Sequence, residues 1–164
     1  MDEATLNDLL SIWEERGDRI DHIPTTMLFQ GLALVRRAKD RRLAPRMLRL
    51  LADTVTSCSK KFGGQNIGQC LYALRHLDAG QNEEAVLRVV VVLTAKVQEC
   101  TEELKAQEVG NALYGLQGMT SEAPEVRALL SALTAKVQSC REELKAQAVG
   151  NGLYGLQGMP SEAP

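Results

Sequence analysis

The most constraining feature of this chain is a stretch of sequence that occurs twice, forty residues apart. Residues 93–100 return as residues 133–140 with one substitution, and residues 107–119 return as residues 147–159 with two. A fixed period of this length is typical of arrays of stacked helical hairpins, in which each unit packs only on its neighbours. Such arrays mostly bind extended partners on a surface, so the repeat bears on function as well as on fold.

Two more diverged copies precede the clear pair. A shift of 42 residues aligns Leu93 with Leu51 and Cys100 with Cys58, and a second shift of 42 reaches a looser first copy. The repeats therefore cover about 1–42, 43–81, 82–121 and 122–164.

Each repeat is predicted to contain helix A, a short link and helix B, with apolar residues at helical spacing. Helix A is predicted at about 5–16, 45–61, 84–103 and 124–143, and helix B at about 25–39, 65–77, 106–118 and 146–158. The pattern predicts an all-α protein, a single right-handed α-solenoid of about four two-helix repeats of 40–42 residues over positions 1–164.

Composition supports this class and narrows the function. Aromatic residues are only 4% of the chain, so the core must consist of Leu, Val and Ala, which favours helices. The net charge of -2 gives no overall basic signal for nucleic acid. The most apolar stretch, residues 86–92, is interrupted by Arg88 and too short to span a bilayer, and the start Met-Asp-Glu is unlike a secretory signal.

The four cysteines follow the repeat. Cys58, Cys100 and Cys140 occupy the same position in successive units, about 10 Å apart if the helices stack, whereas a disulfide needs Cα atoms within about 7 Å. We expect these three and Cys70 to be buried thiols in a reducing compartment. Because the chain lacks Cys-x-x-Cys and its histidines are isolated, we expect neither a metal nor a cofactor.

Glycines inside the predicted B helices need a structural reason, since each costs about 1 kcal/mol relative to Ala. For Gly110, Gly115 and Gly118 the expected reason is close packing of A on B and of unit on unit. Gly118 or Gly158 could instead end its helix.

A helical wheel places a polar strip opposite the apolar face of each B helix. In the third repeat the strip holds Gln107, Asn111 and Tyr114. Amides can pair with base edges and aromatic rings can stack on bases, as in RNA-binding repeats that read about one base per unit. Alternatively, the tyrosines pack between units and the amides bond the adjacent helix or water. The candidate base contacts are Gln65, Gln69, Tyr72, Gln107, Asn111, Tyr114, Gln147, Asn151 and Tyr154.

A cluster of basic residues marks the junction of the first and second repeats. Nine basic side chains lie between positions 36 and 61, against only Asp40 and Asp53. A phosphate backbone would favour this basic patch, although an ordinary solvated surface is the alternative, and the last two repeats carry 11 acids against 7 bases. The candidate phosphate contacts are Arg36, Arg37, Lys39, Arg41, Arg42, Arg46, Arg49, Lys60 and Lys61.

The third repeat and the link after it resemble the octotricopeptide repeat family of helical hairpins. The resemblance rests on Asn111-Ala-Leu-Tyr-Gly-Leu116 and on the link Ala123-Pro-Glu125, with Tyr114 where the family usually has Trp. It implies sequence-selective binding of single-stranded RNA in an organelle, mainly the chloroplast of algae, to stabilise, process or translate transcripts.

The sequence contains no catalytic pattern. It lacks Gly-x-Ser-x-Gly, a phosphate-binding loop and zinc-spaced ligands, and the pairs Glu102-Glu103 and Glu142-Glu143 are expected to be solvated. Two non-enzymatic hypotheses remain: binding of single-stranded RNA, and a protein-protein scaffold whose groove holds a peptide or helix. Exposed apolar ends of the array also favour self-association. Without the family resemblance, the expected compartment is the cytoplasm.

Overall fold

A computed structural model describes residues 43–77 and 79–159, together with residues 8, 11, 12, 14 and 15. Over residues 43–77 and 79–159 the regular structure is entirely helical, which confirms the all-α prediction. The predicted helices at 5–16 and 25–39 lie largely or wholly outside the described residues. The observed helices are α1 (Leu43–Ser57), α2 (Gly64–Ala73, extended by a 3-10 turn at Leu74–His76), α3 (Ala79–Glu99), α4 (Ala106–Tyr114), α5 (Pro124–Ser139) and α6 (Ala146–Leu156).

Equivalent helices of successive repeats pack side by side. In the row of A helices α1 contacts α3 and α3 contacts α5, while in the row of B helices α2 contacts α4 and α4 contacts α6. One continuous apolar cluster includes side chains from both rows. None of these helices is both long enough and apolar enough to cross a membrane.

The apolar spacing of α3 shows why the A helices form. Val86, Val89, Val90, Leu93 and Val97 recur at intervals of three and four residues, and each is at most 2% exposed. The β-branched run at residues 89–92 is therefore helical, as its neighbours predicted. Burying such a side chain contributes about 1.5–3 kcal/mol, so the apolar stripe outweighs the weak helix propensity of valine.

The A helices end four residues earlier than predicted, at Ser57, Glu99 and Ser139. Just past the first two of these ends, a lysine of the following repeat satisfies carbonyl oxygens: Lys96 Nζ donates to Cys58 O over 2.9 Å. Lys136 Nζ donates likewise to Cys100 O, and to Glu102 O over 3.1 Å. The α5 helix ends at the equivalent residue without such a lysine among the described residues, so the lysines bond carbonyls just past the helix ends but do not set where the helices end.

The B helices begin where a glutamate of the following repeat accepts a backbone hydrogen bond. The Gly64 amide donates to Glu102 Oε2 over 2.8 Å, and the Ala106 amide donates to Glu142 Oε2 over 3.0 Å. Both glutamates are exposed, as expected, and in addition each accepts one of these backbone hydrogen bonds. A carboxylate at a helix N-terminus satisfies an unpaired N–H and interacts favourably with the helix dipole.

Glycines let neighbouring B helices meet backbone to backbone. A Cβ on Gly115 would lie 1.8 Å from Leu71 O, and a Cβ on Gly155 would lie 1.9 Å from Leu113 O. The prediction of close unit-to-unit packing is confirmed at Gly115. Gly118 has a φ of 78° and lies in the turn after α4, so its role is to reverse the chain rather than to pack.

The cysteines are free thiols, and three of the four are buried. Burial raises the pKa of Cys70 to about 12, so this thiol stays protonated at neutral pH. The equivalent thiols of Cys58, Cys100 and Cys140 each donate to the carbonyl two residues further on. Cys140 is only half-buried, contrary to prediction, because none of the described residues forms a further repeat over it.

Candidate functional site

The predicted amides lie in one strip across the three B helices. Gln65, Gln107 and Gln147 are exposed at the helix starts, and one turn later Gln69, Asn111 and Asn151 are half-buried. Because α2, α4 and α6 pack side by side, amides four apart on each helix form two parallel rows. We call these six residues the amide strip.

The amide strip lines two consecutive clefts. The cleft between α2 and α4 has a volume of about 280 Å³ and contains Gln65, Gln69, Gln107 and Asn111. The next, between α4 and α6, has a volume of about 370 Å³. Its amides are Gln107, Asn111, Gln147 and Asn151. Each cleft therefore presents four side-chain amides, each carrying two donors and one acceptor group.

Two lysines that the sequence analysis missed also line these clefts. Lys105 lies in the first and Lys145 in the second, each exposed and directly before a B helix. Their signal was present in the repeat itself, since Leu-Lys-Ala-Gln occurs at both 104–107 and 144–147. Each ammonium lies beside a helix N-terminus, where the helix dipole is also positive.

Carboxylates lie in the same clefts, but their oxygens are engaged by backbone. Glu108 Oε2 accepts from the Lys105 amide over 2.8 Å, and Glu142 Oε2 accepts from the Ala106 amide. One oxygen of each carboxylate is thus bonded to backbone, which offsets part of its negative charge, and each cleft holds one lysine and one glutamate beside its amides.

The three tyrosines form a stacked ladder. The ring centroids of Tyr72 and Tyr114 are 5.6 Å apart with 29° between the ring planes, and those of Tyr114 and Tyr154 are 5.5 Å apart with 22°. The Arg75 guanidinium carbon lies 3.7 Å from the Tyr72 centroid and closes that end by a cation–π contact. Each ring pair contributes about 0.5–1.5 kcal/mol beyond its burial.

The ladder limits what the tyrosines can do for a ligand. A base inserted between two rings needs about twice the 3.4 Å stacking distance, more than the observed 5.5–5.6 Å. Tyr72 and Tyr114 are half-buried, whereas Tyr154 is 50% exposed. In this arrangement, Tyr154 is the ring whose outer side remains available for stacking.

The structure describes less than half of the basic patch. Arg36, Arg37, Lys39, Arg41 and Arg42 lie outside the described residues. The Nε atom of Arg46 donates to Glu14 Oε1 over 2.7 Å, and this hydrogen bond lowers the pKa of the Glu14 carboxyl. Arg49, Lys60 and Lys61 are exposed, and Arg49 Nε donates to Pro45 O over 3.3 Å. Asp53, expected to oppose the patch, pairs with Arg88.

Within residues 43–77 and 79–159, no cluster of three His, Cys, Asp or Glu side chains has a geometry that could hold a metal ion. Comparison of the chain with protein-family models, with curated proteins and with solved structures gave no match.

Proposed function

We propose that the protein binds single-stranded RNA without catalysing a reaction, with the amide strip contacting base edges. The observation that carries this proposal is that two neighbouring clefts repeat the same four-amide lining at the spacing of the fold. Amides can hydrogen-bond to the Watson–Crick and Hoogsteen edges of unstacked bases.

The spacing of the tyrosine ladder differs from that of stacked bases. The tyrosine rings advance 5.5–5.6 Å per repeat, whereas stacked bases advance about 3.4 Å. An RNA that places one nucleotide per repeat must separate its bases, and this separation opens their edges to Gln and Asn. Lys105 and Lys145, with the basic patch, would neutralise phosphates.

The proposal includes the overall shape: the paired rows of A and B helices would continue as a right-handed α-solenoid, on whose surface an extended RNA lies. The octotricopeptide resemblance supports the same proposal, and with it a role in the stability, processing or translation of organellar transcripts. In this view the tyrosine ladder sets the spacing of the strip, and Tyr154 stacks on a terminal base.

The test is a gel-shift titration of the full chain against random single-stranded RNA pools, followed by selection and sequencing of bound RNA. The double variant Asn111→Ala, Asn151→Ala should retain binding but lose sequence preference at two positions. The matched control is Gln98→Ala, Gln138→Ala, which removes exposed amides at equivalent positions of the A helices. An unchanged preference in the strip variant, or no shift at low salt, would refute base reading by the strip.

The phosphate contacts have a separate signature. Each phosphate neutralised on a single strand contributes about -0.7 to the slope of log K against log salt. Lys105→Ala with Lys145→Ala should therefore weaken binding to all sequences alike and flatten that slope by about 1.4. A change in sequence preference without a change in slope would contradict this role.

The second candidate is a scaffold that binds an extended peptide, favoured by the carboxylates of Glu108 and Glu142 beside the amides. A side-chain amide pairs with a peptide unit as well as with a base edge. Screening the protein against an array of basic extended peptides tests this alternative, and the same Asn111→Ala, Asn151→Ala variant should then lose peptide binding.

A further inference from the structure

The exposed face of α6 is the counterpart of a face that is buried in the preceding repeat. Val149 is 43% exposed and Leu144 is 38% exposed, whereas their equivalents Val109 and Leu104 are each 1% exposed. Leu153 is 69% exposed. Apolar side chains of this kind on adjacent turns mark a surface for another protein segment.

Four features join each repeat to the next, and they occur at both interfaces between described repeats. The later repeat supplies a lysine that donates to the carbonyl of the cysteine after helix A, and a glutamate that accepts from the first amide of helix B. It also supplies an Ala or Glu that lies over a glycine of the earlier repeat, and a glycine that lies on a backbone carbonyl of that repeat. In the later repeat of the last interface these are Lys136, Glu142, Ala148 and Gly155. In the interface before it they are Lys96, Glu102, Glu108 and Gly115.

The groups that the earlier repeat contributes to such an interface occur again on the last described repeat, where none of the described residues contacts them as a partner. The corresponding acceptor and donor are the Cys140 carbonyl and the Ala146 amide, and no described side chain bonds either. A Cβ on Gly150 would meet no atom within 4 Å, whereas on the equivalent Gly110 it would lie 2.8 Å from Ala148 Cα.

We propose that this face, the α6 end face of Cys140, Leu144, Ala146, Val149, Gly150 and Leu153, binds a helical hairpin of the same repeat chemistry. The two internal interfaces define the sequence pattern of this partner. A lysine is followed after five intervening residues by a glutamate, after five more by Ala or Glu, and after six more by a glycine. The lysine bonds Cys140 O, the glutamate bonds the Ala146 amide, the Ala or Glu lies over Gly150, and the final glycine packs on the backbone of Leu153.

The experiment uses the full chain and, as probe, a fluorescently labelled peptide of residues 120–159, which carries all four elements of this pattern. Fluorescence anisotropy should show saturable one-to-one binding. The peptide should also slow maleimide labelling of Cys140, because the equivalent Cys100 is only 3% exposed beneath its neighbour. A peptide with Lys136→Met and Glu142→Gln should bind at least tenfold more weakly.

Gly150→Gln in the protein tests the face itself. The new side chain has space in the chain alone but would collide with a docked helix, so binding should fall at least tenfold while the free protein keeps its CD spectrum and melts at the same or a slightly higher temperature. The matched control, Gln138→Ala, alters a residue that is exposed, as is its internal equivalent Gln98, and should bind like the unmodified protein.

The results of these experiments distinguish a hairpin partner from a second copy of this chain. Absence of saturable binding together with unchanged Cys140 labelling, or binding indifferent to Gly150→Gln, overturns the proposal. Light scattering of the protein alone distinguishes a second copy: a dimer mass that Gly150→Gln reduces to a monomer mass would replace the hairpin partner with self-association. Loss of RNA binding leaves this result unaffected, because the amide strip is not part of the α6 end face.

Discussion

Two glycines in α6, only five positions apart, are expected to respond in opposite directions to the same substitution. A Cβ on Gly155 would lie 1.9 Å from Leu113 O and 2.6 Å from Leu113 C, both backbone atoms. Ordinary van der Waals contact begins at 3.4 Å, so α4 and α6 would have to separate by about 1.5 Å, the difference between 3.4 Å and 1.9 Å. Gly150 faces open space.

The magnitudes follow from these distances. Gly155→Ala adds a group to a filled interface, which typically costs about 1–3 kcal/mol, and gains less than about 1 kcal/mol of helix propensity in a final turn. Gly150→Ala gains up to about 1 kcal/mol at a helix interior and meets nothing. For a chain of this size, 1 kcal/mol shifts the melting temperature by about 2–4 °C.

Thermal unfolding followed by circular dichroism at the helix band is the assay. We expect Gly155→Ala to lower the melting temperature by several degrees and Gly150→Ala to raise it by about 2–4 °C. Gly152→Ala is an informative third variant, because its Cβ would meet only the Leu113 side chain, the flexible Cδ1 at 3.1 Å and Cβ at 3.8 Å. Stabilisation by both Gly155→Ala and Gly150→Ala would refute the backbone contact between α4 and α6.

Three further predictions use the same protein. Alkylation at pH 8 followed by mass spectrometry should modify half-buried Cys140 first and Cys70 last, because Cys70 is buried with a pKa of about 12; equal rates would contradict this order. Glu142→Gln should lower stability by about 1 kcal/mol in urea unfolding through loss of a charge-assisted bond to the Ala106 amide, whereas Glu143→Gln should change it little. Lys96→Met should cost about 1–3 kcal/mol, because it leaves the Cys58 carbonyl without its donor; a neutral result would show that water replaces the lysine.

The repeat and its helices were predictable because helical periodicity is a local signal. The B helices start within one residue of the predicted positions, and α5 begins at Pro124 as expected. The α3 helix begins at Ala79 instead of near residue 84, since the sequence before Val86 lacks an apolar stripe that would have marked its first turn. Strip membership was also predictable, because a wheel gives the face of each residue.

Other features depend on contacts between repeats and could not be predicted from one unit. The hydrogen bonds of Lys96 and Lys136 each reach a carbonyl of the preceding repeat, a contact that one repeat alone does not show. The tyrosines were expected either to stack on bases or to pack between units. Their rings stack on one another, which depends on how the B helices are placed side by side. The role of Glu142 likewise depends on a contact between repeats, because the link between α5 and α6 lies against the first turn of α4.

The lysine and glutamate contacts that join one repeat to the next all run in one direction along the chain, from a later repeat to the one before it. As the polypeptide leaves the ribosome, residues 106–114 would emerge before the carboxylate of Glu142 that completes their first turn. Folding during synthesis should therefore lag one hairpin behind emergence. Native-state hydrogen exchange of the finished protein should show protection declining toward α6, whose first amide has no such carboxylate among the described residues.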